Sequence, residues 1–243
     1  MGIYEGFHSS DNWYTRSFEY FIIRFHIEHR DDVEECLISA NWVREKTRSM
    51  YPHEISMKVT ITLCNDIDEV YRLSNGRSLG NSIVGLNKAE IFIVHPSWNG
   101  NWEIYSELGD PFRRVLNHEY VHCPFWQDRA LAKSYGGYPD EELPSWFNQG
   151  IAEYISENYF PSWKTRVSES LKENSFNIDN EYAWGIYILE YMYKIYSQER
   201  VIDLVRSTTS SFWGAVQTEL GVSRQDFERR RNEYIKNILS CDG

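Results

Sequence analysis

The sequence predicts an α+β fold: a small mixed β-sheet with its helices in the N-terminal part, then an all-helical lobe. Three observations carry this. Runs rich in β-branched and aromatic residues lie before Trp102, at 18–28, 58–63, 82–86 and 90–94. After Trp102, apolar residues recur at helical spacing to the C-terminus. No long linker, repeat or low-complexity tract interrupts the 243 residues, of which 42% are hydrophobic, enough for a sizeable core. The expectation is one domain over residues 1–243, with a β-rich sublobe at about 13–100 and a helical sublobe at about 101–240.

The first strand, 18–28, places Phe21, Ile23, Phe25 and Ile27 on one face. Asp31 or Asp32 caps the helix that follows, in which Val33, Cys36, Leu37, Ala40 and Val43 keep helical spacing as far as about Met50. Pro52 stops it. A second strand covers 58–63. Asp66 caps a short helix through Leu73, and 75–80 is a loop. The runs 82–86 and 90–94 form a hairpin around Asn87-Lys88, closed by His95-Pro96. The next helix starts at Glu103 or Pro111 and runs to His122. Another spans 144–157, with Pro144 in a favoured first-turn position. Further helices fall at 162–172, 181–197, 199–206, 210–220 and 223–238.

A net charge of -11 excludes the basic face that a phosphate-tracking nucleic-acid binder needs, and disfavours anionic membranes. Cys36, Cys64, Cys123 and Cys241 are far apart and read as reduced thiols. No apolar run approaches the roughly 20 residues that span a bilayer. Residues Met1 to Asn12 lack the apolar core of a signal peptide, and Gly6 stands where a myristoylation signal wants Ser or Thr. Cytoplasm is the expected location. The sequence leaves the oligomeric state open.

At the seam of the two halves stands His118-Glu119-Tyr120-Val121-His122. On a helix, positions i and i+4 share a face, so both imidazoles aim at one point. Zinc accepts that geometry, and Glu119 lies where it can take a proton from an attacking water. Chance produces this pattern in about one chain of this length in a hundred, so a second motif has to decide. Cys123 points about 100° away from His122 and is not a ligand.

The second motif is the run from Leu143 to Ser156. It resembles the ligand helix of the gluzincin metallopeptidases, the group of thermolysin and the zinc aminopeptidases, whose pattern is roughly P-x-W-x-x-E-G-x-A-E-Y. Trp146, Gly150, Ala152, Glu153 and Tyr154 match, and the third-ligand position holds Gln149 in place of Glu. The segment from Glu181 to Gly185 resembles the family's Y-x-x-G, in which the Tyr stabilises the oxyanion; this maps to Tyr182. The resemblance extends along nearly the whole chain. It implies a peptidase-MA-like fold with its cleft between the two sublobes, a Zn2+ cofactor on His118, His122 and Gln149, and Glu119 and Tyr182 as catalytic groups. It further implies a peptide or protein substrate, pairing with Ile91, Phe92, Ile93 and Val94 as an edge strand.

A Gln carbonyl is neutral and a poorer zinc ligand than Glu. With three neutral ligands, however, the metal keeps its full charge for polarising water. The resemblance makes Glu153 a carboxylate that accepts a hydrogen bond from a ligand histidine; alternatively it is itself the third ligand. Glu157 is solvated. Because of Gln149, a second function stays open: a catalytically silent relative that binds a peptide or protein partner. The other histidines, His8, His26, His29, His53 and His95, read as structural or exposed. Tyr187, Tyr191, Tyr193 and Tyr196 read as a core stripe, and Arg229, Arg230 and Arg231 as a solvated helix face.

Overall fold

Alternation of apolar and polar residues builds the sheet. Strand β3 (Phe21–His26) alternates buried with half-buried positions, and Phe21, Ile23 and Phe25 lie in the core. Ile27 does not continue this face: it opens a 3-10 turn over Ile27–His29 and is 50% exposed. Strands β4 (Val59–Cys64) and β6 (Lys88–Val94) are richer in buried aliphatics, as strands covered on both faces require. Strands β1 (Tyr4–Gly6), β2 (Trp13–Ser17) and β5 (Gly80–Gly85) complete a six-stranded sheet in the order β1-β2-β3-β4-β6-β5. The structure, a computed structural model, describes residues 4–6, 13–53, 55–76, 78–100, 109–172 and 181–240. The readings placed on the remaining N-terminal residues, His8, Glu103 and Cys241 lie outside them.

The central trio β3, β4 and β6 is parallel, while β1, β2 and β5 join antiparallel. The β5–β6 hairpin turns at Leu86-Asn87, since Gly85 pairs with Lys88. Helix α1 (Asp32–Met50) buries Val33, Cys36, Ala40 and Val43 against the sheet, the spacing read in the sequence. Helix α2 (Ile67–Ser74) covers the opposite face, where Val70 packs with Cys64, Phe92 and Val94. Asp66 caps it, accepting the Glu69 N–H at 2.8 Å. Asp32 and Asp31 cap nothing with their side chains. Each buried Val, Ile or Phe of this core contributes roughly 1.5–3 kcal/mol.

Helix α3 (Pro111–Ser134) places Phe112, Leu116, Tyr120 and Cys123 in the same core as α1 and the sheet. It runs through Pro124, twelve residues past the end that the sequence suggests at His122. A proline removes one backbone bond of the preceding turn. Burial beyond it outweighs that loss: Phe125 is fully buried, and Arg129 is 1% exposed. The Arg129 guanidinium donates to the carbonyls of Val205 at 3.0 Å and Tyr138 at 2.5 Å and lies over the Tyr138 ring.

The chain divides into two compact units, Met1–Gln127 and Asp128–Gly243. The division lies within α3, later than the boundary near residue 100 that the sequence suggests, because the apolar stripe of α3 belongs to the sheet's core. The second unit contains the helices α4 (Ser145–Ser156), α5 (Pro161–Lys172), α6 (Glu181–Tyr196), α7 (Gln198–Arg206), α8 (Phe212–Ala215) and α9 (Arg224–Ser240). A π-turn over Val216–Leu220 follows α8. The architecture is therefore α+β, a mixed sheet with its helices followed by a helical unit. Among the described residues no helix is long and apolar enough to cross a membrane.

Of the tyrosine stripe, Tyr187 and Tyr191 are core, the Tyr191 ring meeting Phe227 at 5.6 Å, while Tyr193 and Tyr196 are half-buried. The arginine run is mixed. Arg229 is paired at the surface with Asp226 and Glu233, whereas Arg231 is 5% exposed, and burial pulls its pKa down to about 10. Cys36, Cys64 and Cys123 are free and buried; burial pushes the Cys64 thiol up to about 12.

Helices α4 and α6 touch backbone to backbone. A Cβ on Gly150 would lie 2.6 Å from the Gly185 carbonyl, and one on Gly185 2.6 Å from the Gly150 Cα. Only glycine fits at either position. Gly150→Ala is expected to force these helices apart and destabilise the protein by about 1–3 kcal/mol, read as a lower urea midpoint. An unchanged midpoint would mean that the crossing is looser than this.

Candidate metal centre

The site is built on α3. Its apolar stripe faces the sheet, and His118 lies about 200° around the axis from Leu116 and Tyr120. His118 and His122, one turn apart, bring their Nε2 atoms to 3.2 Å, with ring planes at 81°. Two nitrogens on a tetrahedral zinc, each at 2.0–2.1 Å, stand about 3.3 Å apart. The pair thus has the spacing of a zinc edge before any metal is considered. His118, His122 and Glu119 are 6%, 5% and 8% exposed. A site so dry strengthens any charge interaction within it.

Glu119 is held against the sheet. A Cβ on Gly80 would fall 3.0 Å from Glu119 Cγ, 3.5 Å from its Oε1 and 2.8 Å from Val115 Cγ1. The start of β5 therefore passes directly over the carboxylate, an approach that a side chain at residue 80 would block. Cys123 is turned away from the histidines, as its helical direction predicts. It is fully buried in the sheet–helix core, its Sγ 3.7 Å from the Glu119 carbonyl.

The substrate strand needs correction. Ile91, Phe92, Ile93 and Val94 belong to β6, which pairs with β4 on one side and β5 on the other. Their backbone groups already serve the sheet. Among the described residues the edge on this side is β5, the strand that crosses Glu119. The sequence does not reveal this, because a hairpin pattern does not say which arm lies outside. Gly80 is the signal that could have: a glycine opening a strand marks close backbone approach.

The other candidates sit on helices of the second unit. Gln149 is half-buried and Glu153 is 1% exposed, on successive turns of α4; Glu157 is exposed and ends that helix in the left-handed region at φ 55°. Tyr182 is in the first turn of α6, 38% exposed, its ring 6.4 Å from Trp163. His26, His29 and His95, read from the sequence as structural or exposed, make polar contacts in the first unit with Glu69, Asn65 and Asp32 respectively. No protein-family model matches the chain, and no curated protein sequence matches it.

The donor set fits zinc: two converging imidazole nitrogens beside a buried carboxylate. His118→Ala or His122→Ala is expected to lower bound zinc by one equivalent per chain, measured by elemental analysis after dialysis. The same zinc content in both variants as in the unmodified protein would remove this assignment.

Proposed function

We propose that the chain is a zinc-dependent peptidase of gluzincin type. The observation that supports this most directly is the 3.2 Å approach of His118 Nε2 to His122 Nε2, with Glu119 buried next to them. The ligand-helix pattern of residues 143–156 assigns the third protein donor to Gln149. Zinc, when bound, supplies a positive charge that polarises the scissile carbonyl. The protein groups do the rest. Glu119 takes the proton of the attacking water and returns it to the departing amine. Tyr182, from its place in the Y-x-x-G pattern, donates a hydrogen bond to the developing oxyanion. An extended peptide lies along β5, the edge strand among the described residues, whose Gly80 approaches Glu119.

A second reading follows from the neutral amide at position 149. The chain then binds a peptide or protein partner and hydrolyses nothing. Zinc content combined with hydrolysis of an unstructured protein such as casein separates the two.

Glu119→Gln is expected to keep its zinc and lose casein hydrolysis, since the carboxylate acts on water and not on the metal. Hydrolysis that survives this change would rule out the proton relay. Residue 149 is tested by charge alone. Gln149→Glu adds a charged donor at constant size and is expected to tighten zinc by one or more orders of magnitude, more than a residue outside the ligand set gives. If Glu153 is instead the third ligand, that change does little and Glu153→Gln strips the metal. Zinc titration of the two variants distinguishes them.

A further inference from the structure

The parallel trio β3, β4 and β6 ends at one border of the sheet, and each strand delivers a polar residue there. His29 follows β3, Asn65 follows β4 and His95 follows β6. Asp32, the first residue of α1, meets them. The border beyond the C-terminal ends of parallel strands is where open sheets of this kind hold ligands. Asp32 Oδ2 is 3.0 Å from His95 Nδ1 and 3.6 Å from His29 Nδ1. The two rings stack at 3.7 Å with planes 19° apart. The three residues are only 8–9% exposed.

The partners of these residues fix their chemistry. Asn65 Oδ1 stands 2.6 Å from His29 Nε2, so that nitrogen carries the proton and donates it. His29 Nδ1 faces the Asp32 carboxylate at 3.6 Å, so a ring nitrogen from each histidine and one carboxylate oxygen meet at this border. Ser97 Oγ donates to Asp32 Oδ2 at 2.9 Å and holds the carboxylate in place. A histidine whose second nitrogen donates to a side-chain oxygen is the usual arrangement of a metal-binding imidazole.

We propose that His29 Nδ1, Asp32 Oδ2 and His95 Nδ1 bind a divalent transition-metal ion, at a site separate from His118 and His122. Two imidazoles and one carboxylate suit zinc, and also iron(II) and cobalt(II). One donor atom from each of the three residues lies within 4.8 Å of the other two, wider than the roughly 3.3 Å of a tetrahedral zinc edge, so loading tilts the stacked rings until both lone pairs converge beside Asp32. Three protein donors leave a position for water or a ligand oxygen. Asn65 is a positioning residue: it touches His29 and not the metal.

The proposal stands apart from the peptidase reading, and the test keeps them apart. In the His118→Ala/His122→Ala double variant, this cluster is the His/Asp group of metal-ligand spacing that remains among the described residues. Equilibrium dialysis against zinc, and titration with cobalt(II) followed by its visible d–d bands, are each expected to give one metal per chain. Adding His95→Gln is expected to weaken zinc at least tenfold, and Asn65→Ala by about 10–100-fold, as for loss of a ligand's hydrogen-bond acceptor. No metal in the double variant overturns the proposal, as does affinity unchanged by both His29→Gln and His95→Gln. The unmodified chain gives the same answer if the double variant does not fold: its zinc content should fall by one equivalent on His95→Gln. If it does not fall, the cluster is held by protons and hydrogen bonds alone.

Discussion

Helix α3 has to satisfy two demands with the same residues. One stripe, through Phe112, Leu116, Tyr120 and Cys123, must fit the sheet; the histidines must stand on another face with their Nε2 atoms together. The 3.6-residue period meets both, because residues two apart point to nearly opposite sides. The register of α3 on the sheet therefore fixes the direction of the imidazoles. Thr47 of α1 adds a polar latch, its hydroxyl 3.5 Å from Asn117 Oδ1. A large residue inserted into this core would rotate α3 and misdirect the histidines without touching them.

The close passage of β5 over α3 is the second half of the same constraint. Gly80 lets the strand's backbone lie against Val115 and Glu119, so the carboxylate and the sheet edge are placed by one contact. Side-chain size at residue 80 controls that distance directly. Position 80 therefore acts on the site through space alone, with no functional group of its own.

Much of the fold was readable because it depends on local periodicity. The spacing Val33, Cys36, Ala40, Val43 gave α1 almost to the residue, and Asp66 marked the start of α2. The His118–His122 pair was readable for the same reason: its geometry lies within one helical turn. What escaped depends on contacts distant in sequence. The sequence reading ended this helix at His122, but the burial of Phe125 and Arg129 carries it on through Pro124. The hairpin was legible and its outer arm was not, because only pairing of β6 with β4 decides which arm is the edge. His29 and His95 lie 66 positions apart and no spacing rule links them; a parallel crossover brings His95 to His29 and Asp32. Arg231 resembled its neighbours until packing buried it.

The composition of β5 bears on how the protein behaves in concentrated solution. An uncovered strand edge is a template for any other chain, including a second copy of the same one. Strand β5 opens with Gly80, Asn81 and Ser82 and closes with Gly85, residues that form strands poorly by themselves. Only Ile83 and Val84 between them have high strand propensity, too short a stretch to nucleate stacking of identical edges. The low strand propensity of four of its six residues thus limits pairing between copies of this edge.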